Sequence, residues 1–225
     1  MPFNLNRRIL LTNDGSQTIG FLDNDLTYHS RHGAFAESMH IFIRLGLNYY
    51  FRCHATVNPI TVFEVGFGSG LNAFLTWQYA HQHQIKIEYH SIDVNPLNAE
   101  LYSQLNYHTI DPSLNFLALH TAEWNATIRM DEYFIITKYK EDLLNFALAF
   151  TSDVIYFDAF APNGQPELWT KEVFEELIKR SNHPCVLTTY CSKGEVRRNM
   201  QAAGWKVEKY PGPNGKREVV RAIAI

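Results

Sequence analysis

The feature that most constrains the fold of this chain is a glycine-rich turn between two apolar segments. Residues 61–72 read TVFEVGFGSGLN, in which Thr61 to Val65 is rich in β-forming side chains and glycines stand at 66, 68 and 70. The stretch from Leu71 to His81 has helical spacing. Strand, tight turn and helix in this order are typical of α/β proteins. The glycines let the backbone approach a ligand, and the helix N-terminus offers free N–H groups.

Strand-like and helical segments alternate along most of the chain. The predicted strands are 61–65, 86–92, 133–138, 153–158 and 184–190, and the helices that follow them are 71–82, 96–106, 141–150, 166–180 and 194–203. This alternation predicts a parallel sheet with helices on both faces. The last segments, 205–210 and 218–225, flank Pro-Gly-Pro-Asn-Gly and predict a hairpin. The hairpin adds one antiparallel strand. Residues 107–130 show no clear pattern.

The N-terminal part follows a different pattern. Residues 8–30 predict a small β meander with Asp14-Gly15 at its first turn, and a helix follows from Phe35 to about Gly46. We therefore expect residues 1–50 to form a meander and helix packed on a core of residues 51–225.

Composition excludes several classes of protein. No run approaches the roughly 18 apolar residues of a membrane span, and the N-terminus lacks the apolar core of a signal peptide. The three cysteines have no ligand or redox spacing, and neither do the histidines. We expect a cytoplasmic protein that needs no metal.

The charge is uneven. The net charge is −3, yet Lys193 to Arg221 holds eight Lys or Arg and three Glu, so this segment is +5. It is either a solvated helix and hairpin or a patch that faces phosphates.

The glycine turn favours one nucleotide class over another. A dinucleotide fingerprint needs its third glycine at position 71, where this chain has Leu71. With Glu64 two residues before Gly66, the turn resembles the cofactor loop of class I S-adenosylmethionine-dependent methyltransferases. The terminal hairpin agrees with that topology and disfavours nicotinamide chemistry. A plain strand-to-helix turn stays open as the alternative.

Acidic residues follow three of the predicted strands, at the sheet edge where ligands bind in α/β proteins. Asp93 is placed to accept hydrogen bonds from ribose hydroxyls, or else caps a helix. Asp142 is placed to meet the adenine amino group, or else is a helix N-terminal acid. Asp158, with Phe160 and Trp169 nearby in the sequence, suggests a planar substrate that is charged or bears an amine.

The chain as a whole resembles a tRNA-modifying family. It is similar to the methyltransferase domain of the bacterial bifunctional enzymes that make 5-methylaminomethyl-2-thiouridine in tRNA, and to stand-alone relatives. The matching pieces are 12–16, 28–30, 32–34, 37–38, 64–72, 158–162, 166–170, 189–190, 193–194, 196–198, 203–205 and 216–218. Two positions depart mildly from the family pattern, Gln165 for Asn and Asp93 for Glu. We expect the methyltransferase domain alone, without the flavin-dependent oxidase domain.

The resemblance implies a fold, a reaction and a site. The fold is a class I methyltransferase, Rossmann-like, with a mostly parallel seven-stranded sheet that has one antiparallel strand. The reaction is methylation of 5-aminomethyl-(2-thio)uridine at the wobble position, with S-adenosyl-L-methionine as cofactor and Asp158 as catalytic residue. The implied cofactor residues are Tyr28, Glu37, Glu64, Gly66, Phe67, Gly68, Gly70, Asn72, Asp93, Asp142 and Asp158. The implied substrate residues are Phe160, Trp169, Tyr190, Lys193, Arg197, Arg198, Lys216 and Arg217.

The resemblance also implies partners. They are the tRNA anticodon loop and either a separate oxidase or upstream wobble-modification enzymes, and His29 and His32 would lie along the cofactor pocket. Two alternatives stay open: a methyltransferase for a small-molecule or protein amine, and a non-catalytic nucleotide-binding scaffold.

Overall fold

A computed structural model describes residues 6–54, 59–147, 149–213 and 218–224. The N-terminal hairpin consists of β1 (Arg7–Leu11) and β2 (Gln17–Phe21) in antiparallel register. The part of the predicted meander that follows β2 is reduced to a single bridge between Thr27 and Gly20.

A long helical stretch follows the hairpin in three consecutive segments. These are α1 (Ala34–Ser38), a π-helical segment (Met39–Leu47) and α2 (Asn48–Cys53). The stretch lies close to the sheet because Gly46 has no side chain. A Cβ there would lie 3.2 Å from the Thr188 hydroxyl oxygen and 3.3 Å from the Tyr156 ring. The domain division at residue 50 stays a prediction.

The remainder of the described chain builds one large sheet with its helices. In chain order the elements are β3 (Ile60–Val65), α3 (Leu71–His83), β4 (Ile87–Ile92), α4 (Ala99–Tyr102), α5 (Phe116–Thr121), β5 (Thr127–Arg129), β6 (Phe134–Tyr139), β7 (Ser152–Phe157), α6 (Lys171–Lys179), β8 (Ser181–Thr189), α7 (Gly194–Ala202), β9 (Lys206–Pro211) and β10 (Glu218–Ala224). Short 3-10 turns lie at Asn106–Thr109 and Pro166–Trp169.

The strand order is β5-β6-β4-β3-β7-β8-β10-β9. The five strands β6, β4, β3, β7 and β8 pair in parallel, whereas β10 is antiparallel to both β8 and β9. This arrangement confirms the predicted class I methyltransferase fold and its terminal hairpin. Sequence patterns did not reveal β5, an additional short antiparallel strand at the β6 edge.

The strands β3 and β7, at the centre of the sheet, are buried on both faces. In β3, Val62 packs with the helical stretch, α3 and α5, whereas its neighbour Phe63 packs on the other face with α6 and α7. Strands covered on both sides need continuous apolar runs, which is why these segments were recognisable in the sequence.

Three predicted helices differ from the structure. The described residues 141–147 form turns, because the Asp142 carboxylate accepts the Leu144 N–H at 3.0 Å and so competes with helical bonding. The predicted helix 96–106 is only α4, capped by Asn98. The predicted helix 166–180 is interrupted at Thr170, whose hydroxyl caps α6.

Candidate active site

A cavity of about 700 Å³ opens at the carboxyl ends of β3, β4 and β7. Its walls come from the glycine loop after β3, the turns after β4 and β6, the loop after β7 and the segment around Tyr28. Parallel strands bring these loops to one sheet edge, which is the expected ligand edge of an α/β fold.

The glycine loop takes a backbone path that other residues would strain. Gly66, Gly68 and Gly70 have φ values of 94°, 52° and 74°. At Gly66 a Cβ would lie 2.8 Å from the carbonyl oxygen of Asp158, so the loop and the end of β7 are in close contact. Gly70 is the N-terminal cap of α3, whose first N–H groups lie directly behind the loop.

Ser69 anchors the loop from beneath. Its hydroxyl contacts His29 Nε2 at 2.8 Å and the Tyr107 hydroxyl at 3.2 Å. Its carbonyl accepts a hydrogen bond from His120 Nε2 at 3.0 Å. Burial lowers the pKa of His120 to about 4, so the ring is neutral at pH 7 and its single N–H is committed to Ser69.

A buried lysine supports Phe67 from behind. Lys138 Nζ donates to the carbonyls of Leu119 and His120 at 2.6 and 3.0 Å, at the end of α5. The ammonium also lies 5.0 Å from the centre of the Phe67 ring and 4.6 Å from that of Trp124. Burial lowers its pKa to about 8. This cluster fixes the ring of a loop residue that lines the cavity.

Asp93 faces the cavity with an ordered carboxylate. Its Oδ2 accepts the Gly68 N–H at 2.9 Å and its Oδ1 accepts the Asn95 N–H at 2.7 Å. Burial raises the pKa of Asp93, and these two hydrogen bonds oppose that change. Each oxygen keeps acceptor capacity toward the cavity, which suits the two hydroxyls of a ribose. These acceptors therefore fit the ribose of an adenosyl cofactor.

Three of the predicted cofactor residues do not line the cavity and so have no direct contact with a ligand there: Glu64, Gly70 and Asn72. Glu64 is fully buried beneath the loop, where it accepts the Ser91 hydroxyl at 2.8 Å, and burial raises its pKa to about 8. Asn72 donates its amide to Asp158 Oδ2 at 2.9 Å. Asn72 therefore acts through Asp158, which does line the cavity.

The other predicted cofactor residues, Tyr28, Glu37, Gly66, Phe67, Gly68 and Asp142, belong to the cavity wall, and so does His29. Asp142 projects from a turn and not from a helix N-terminus. Glu37 accepts the Ser30 N–H at 3.1 Å. His32 is exposed.

The loop after β7 presents the predicted substrate side. Asp158 and Phe160 line the cavity, as does Tyr190, whose hydroxyl donates to the Ala159 carbonyl at 2.8 Å. Burial raises the pKa of Tyr190, so its phenol is neutral. The Phe160 ring packs edge-on against the Tyr28 ring, with 5.2 Å between the two ring centroids.

The sequence suggested that Trp169 provides a stacking surface for the substrate, but Trp169 does not line the cavity. It is 3% exposed, packs on Phe157, and donates its indole N–H to the Phe160 carbonyl at 2.8 Å. Gln165 supports the same loop, since its amide oxygen accepts the Phe160 N–H at 2.9 Å. Trp169 thus holds the loop that carries Asp158 and Phe160.

The basic C-terminal segment divides into two groups. Lys206 and Arg221 pair with Glu208, and Lys209 pairs with Glu218, all within the β9–β10 hairpin. Lys193 donates to the Asn163 side chain at 2.6 Å, and Arg197 Nε donates to the Ser192 carbonyl. Arg198 is exposed on α7. Lys216 and Arg217 lie outside the described residues.

Sequence reasoning missed Arg7, which lines the cavity from β1. No motif marks it, because its neighbours in the sequence have ordinary strand character. Among the described residues there is no group of three or more potential metal ligands and no helix long and apolar enough to cross a membrane.

The fold and this site define an S-adenosyl-L-methionine-dependent methyltransferase. The model of that family matches residues 99–224, more than half of the chain, and the chain belongs to this family. It is 29% identical over 234 residues to the tRNA 5-methylaminomethyl-2-thiouridine biosynthesis bifunctional protein MnmC of Cupriavidus metallidurans, covering 95% of this chain and 33% of that protein. The Burkholderia thailandensis MnmC is 31% identical over 211 residues, with 86% and 31% covered. The chain thus spans about a third of the length of these relatives.

Two solved structures share the fold. MNMC2 from Aquifex aeolicus superposes with a TM-score of 0.76 at 24% identity, covering 98% of this chain and 71% of that chain. Spermidine synthase from Thermotoga maritima gives 0.59 at 13% identity, covering 96% and 67%.

Proposed function

We propose that this chain methylates the primary amine of 5-aminomethyluridine, with or without a 2-thio group, at the tRNA wobble position. The observation that carries the proposal is Asp158. Its carboxylate lies in the same cavity as the glycine loop and beside Phe160 and Tyr190. The matches to the relatives cover nearly all of this chain, and the names of these relatives support the tRNA substrate.

The cofactor end of the cavity is assigned to the glycine loop, Asp93 and Asp142. Asp93 accepts the ribose hydroxyls and Asp142 meets the adenine, while Tyr28 and Phe67 pack against the bound molecule. When bound, S-adenosylmethionine supplies a methyl group activated by its sulfonium.

The acceptor end must hold an amine that has lost its proton. An alkylamine with a pKa near that of lysine, ~10.4, costs about 4–5 kcal/mol to deprotonate at pH 7. Asp158, held by the Asn72 amide, orients the amine through its hydrogen bonds, and water takes the proton. Alignment of the two reactants is the main task of the protein. Phe160 and Tyr190 stack on the splayed uracil.

The tRNA itself is assigned to cations outside the cavity. Lys193, Arg197 and Arg198 lie on the segment that follows β8, next to the loop that carries Asn163. They would meet anticodon-loop phosphates, together with Lys216 and Arg217. The proposal includes, as partners, either an oxidase or upstream wobble-modification enzymes, and it places the reaction in the cytoplasm.

A second candidate is a methyltransferase for a small amine. It is favoured by the acidic wall of the cavity. Among the described Lys, Arg, Asp and Glu side chains that line the cavity, all except Arg7 are Asp or Glu carboxylates. The tRNA proposal depends on the surface cations, whereas the small-amine function would not need them.

Mass spectrometry of tRNA nucleosides separates the two candidates. Purified protein and S-adenosylmethionine should convert 5-aminomethyluridine in tRNA to its monomethylamine. The same tRNA with its amine acetylated is the control and should gain no methyl group. Methylation of free amines without any change in tRNA would contradict the tRNA proposal and favour the second candidate.

A further inference from the structure

Arg7 brings a guanidinium into a cavity whose other described charged residues are acidic. It comes from β1, the first strand of the N-terminal hairpin, and is half-buried. Its Nη2 donates to the Asn95 carbonyl oxygen at a long 3.4 Å, and the guanidinium carbon lies 5.7 Å from the centre of the Tyr28 ring. The side chain therefore reaches across to the turn that follows β4.

That turn also carries Asp93, two residues before Asn95. The positive charge of Arg7 lies close enough to lower the pKa of Asp93, against the larger effect of burial. Among the described residues, the buried Nε of Arg7 has no hydrogen-bond partner. A guanidinium has five N–H donors and the hydrogen bond from Nη2 to Asn95 is long, so the group keeps donor capacity for a ligand oxygen.

The two side chains are complementary toward a diol. A hydroxyl carries one donor and two acceptor lone pairs, a carboxylate only accepts, and a guanidinium only donates. We propose that Arg7 and Asp93 together form the ribose-diol site of the cofactor, with Asp93 accepting the hydroxyl protons and Arg7 donating to the hydroxyl oxygens. Arg7 is then a specificity-determining residue for ribose over deoxyribose. The inference rests on the assignment of Asp93 to the ribose in the proposed function.

Calorimetric titration with S-adenosylhomocysteine and its 2′-deoxy and 3′-deoxy analogues tests the proposal. The unmodified protein should prefer the ribose ligand over at least one analogue by about 10-fold or more, the worth of one hydrogen bond to a charged group. In Arg7→Met, which keeps an apolar stem against Tyr28, this preference should fall to within about threefold. Arg8→Met, an exposed neighbour outside the cavity wall, is the matched control and should keep the full preference.

The ratio of affinities separates ligand contact from a structural role. If Arg7 only anchors the hairpin, its loss weakens all three ligands equally and leaves the preference unchanged, which would overturn the inference. Should Arg7→Met fail to fold, Arg7→Lys keeps the charge but not the planar fork, and should show a reduced preference. An unchanged preference in Arg7→Lys would likewise count against the proposal.

Asp93→Asn distinguishes the two assignments. If Asp93→Asn reduces the preference for the ribose ligand while both Arg7 variants keep it in full, Arg7 is excluded from the ribose site and the assignment of Asp93 stands. Full preference in Asp93→Asn removes the ribose assignment itself. Neither result depends on whether tRNA is the methyl acceptor.

Discussion

Asp158 lies between the glycine loop and the aromatic side chains of the cavity, so its effect on binding and on turnover should separate. Asp158→Asn keeps the shape and the position next to Asn72, but weakens the hydrogen bonds that orient the acceptor amine. We expect kcat to fall by about 10²-fold, the usual scale of loss when a reactant is no longer held in position, while S-adenosylmethionine affinity changes less than about threefold. Calorimetry and single-turnover methylation measure the two effects.

The control for this variant is Glu167→Gln, which removes another cavity carboxylate to which no role is assigned. It should leave turnover near that of the unmodified protein. Equal losses of cofactor affinity and rate in Asp158→Asn would place Asp158 in the cofactor site instead.

Substitutions at Gly66 and Gly15 distinguish the cost of backbone strain from the cost of a steric clash. Both have positive φ, 94° and 82°. A Cβ at Gly66 would lie 2.8 Å from the Asp158 carbonyl, whereas one at Gly15 would have no heavy atom within 4 Å. Gly15→Ala should therefore cost only the strain, about 1–2 kcal/mol. Gly66→Ala should cost more and should also weaken cofactor binding. Denaturant unfolding and calorimetry check this, and equal effects would refute the close contact.

Glu64 should make stability depend on pH. Burial raises its pKa from 4.5 to about 8, so the folded state retains a proton that the unfolded chain releases. Stability from this group is fully present below pH 4.5 and is lost as the pH rises toward 8. Glu64→Gln, which is neutral throughout, should match the unmodified protein near pH 4.5 and become more stable by up to a few kcal/mol at pH 8. A pH-independent difference in melting temperature would contradict this.

At the scale of elements, Asp14 ties the N-terminal hairpin to the helical stretch. Its Oδ2 accepts the Ala36 N–H of α1 at 2.9 Å, and its Oδ1 accepts from Thr12 and Ser16. Burial alone would raise the pKa of Asp14. The hydrogen bonds from Ser16, Ala36 and Thr12 together outweigh burial, so the pKa of Asp14 is lowered. The contribution of Asp14 to stability is therefore present above its ordinary pKa of 3.8 and is lost as the pH falls below it.

Asp14→Ala should cost about 0.5–2 kcal/mol of unfolding free energy at pH 7, the usual range for removal of a helix cap. Because α1 also carries Glu37 into the cavity wall, ligand affinity should weaken as well. The exposed hairpin residue Asn13, mutated to Ala, is the control. Equal unfolding free energies for the two variants would contradict the capping role.

Elements with strong internal patterns could be predicted, and elements defined by single side chains could not. The central strands are apolar on both faces, and the Pro-Gly-rich segment marked the hairpin. In contrast, the turn at Asp142 and the caps at Asn98 and Thr170 each depend on one side chain that bonds to the backbone. Periodicity alone does not report such local competition.

At the scale of the whole molecule, the strand-end acids could be predicted, because topology brings them to one edge. The roles of Trp169 and Arg7 could not. Trp169 faces the interior because its indole N–H meets the Phe160 carbonyl, and Arg7 reaches the cavity only because the hairpin folds back over it. Both facts arise from tertiary packing, which leaves no local signal in the sequence.

Tertiary packing also divides the basic segment. Lys206 and Lys209 are paired with Glu208 and Glu218, so their charges are largely neutralised within the hairpin. Lys193 and Arg197 instead donate to the neutral acceptors Asn163 and Ser192, so they keep their charge for a phosphate. If the molecule binds tRNA, the second group should carry the salt dependence.

Replacing Lys193, Arg197 and Arg198 together by Ala should weaken tRNA binding and flatten its salt dependence, by roughly 0.7–0.9 log units of slope for each phosphate that is no longer neutralised. Cofactor affinity should stay unchanged, since none of the three lines the cavity. The matched control replaces Lys206 and Lys209 by Ala, which removes cations already paired with glutamates, and should leave the slope nearly intact. Filter-binding titrations across a salt series measure both variants. Equal slopes in the two variants would show that these charges serve solubility, and would shift the acceptor toward a small amine.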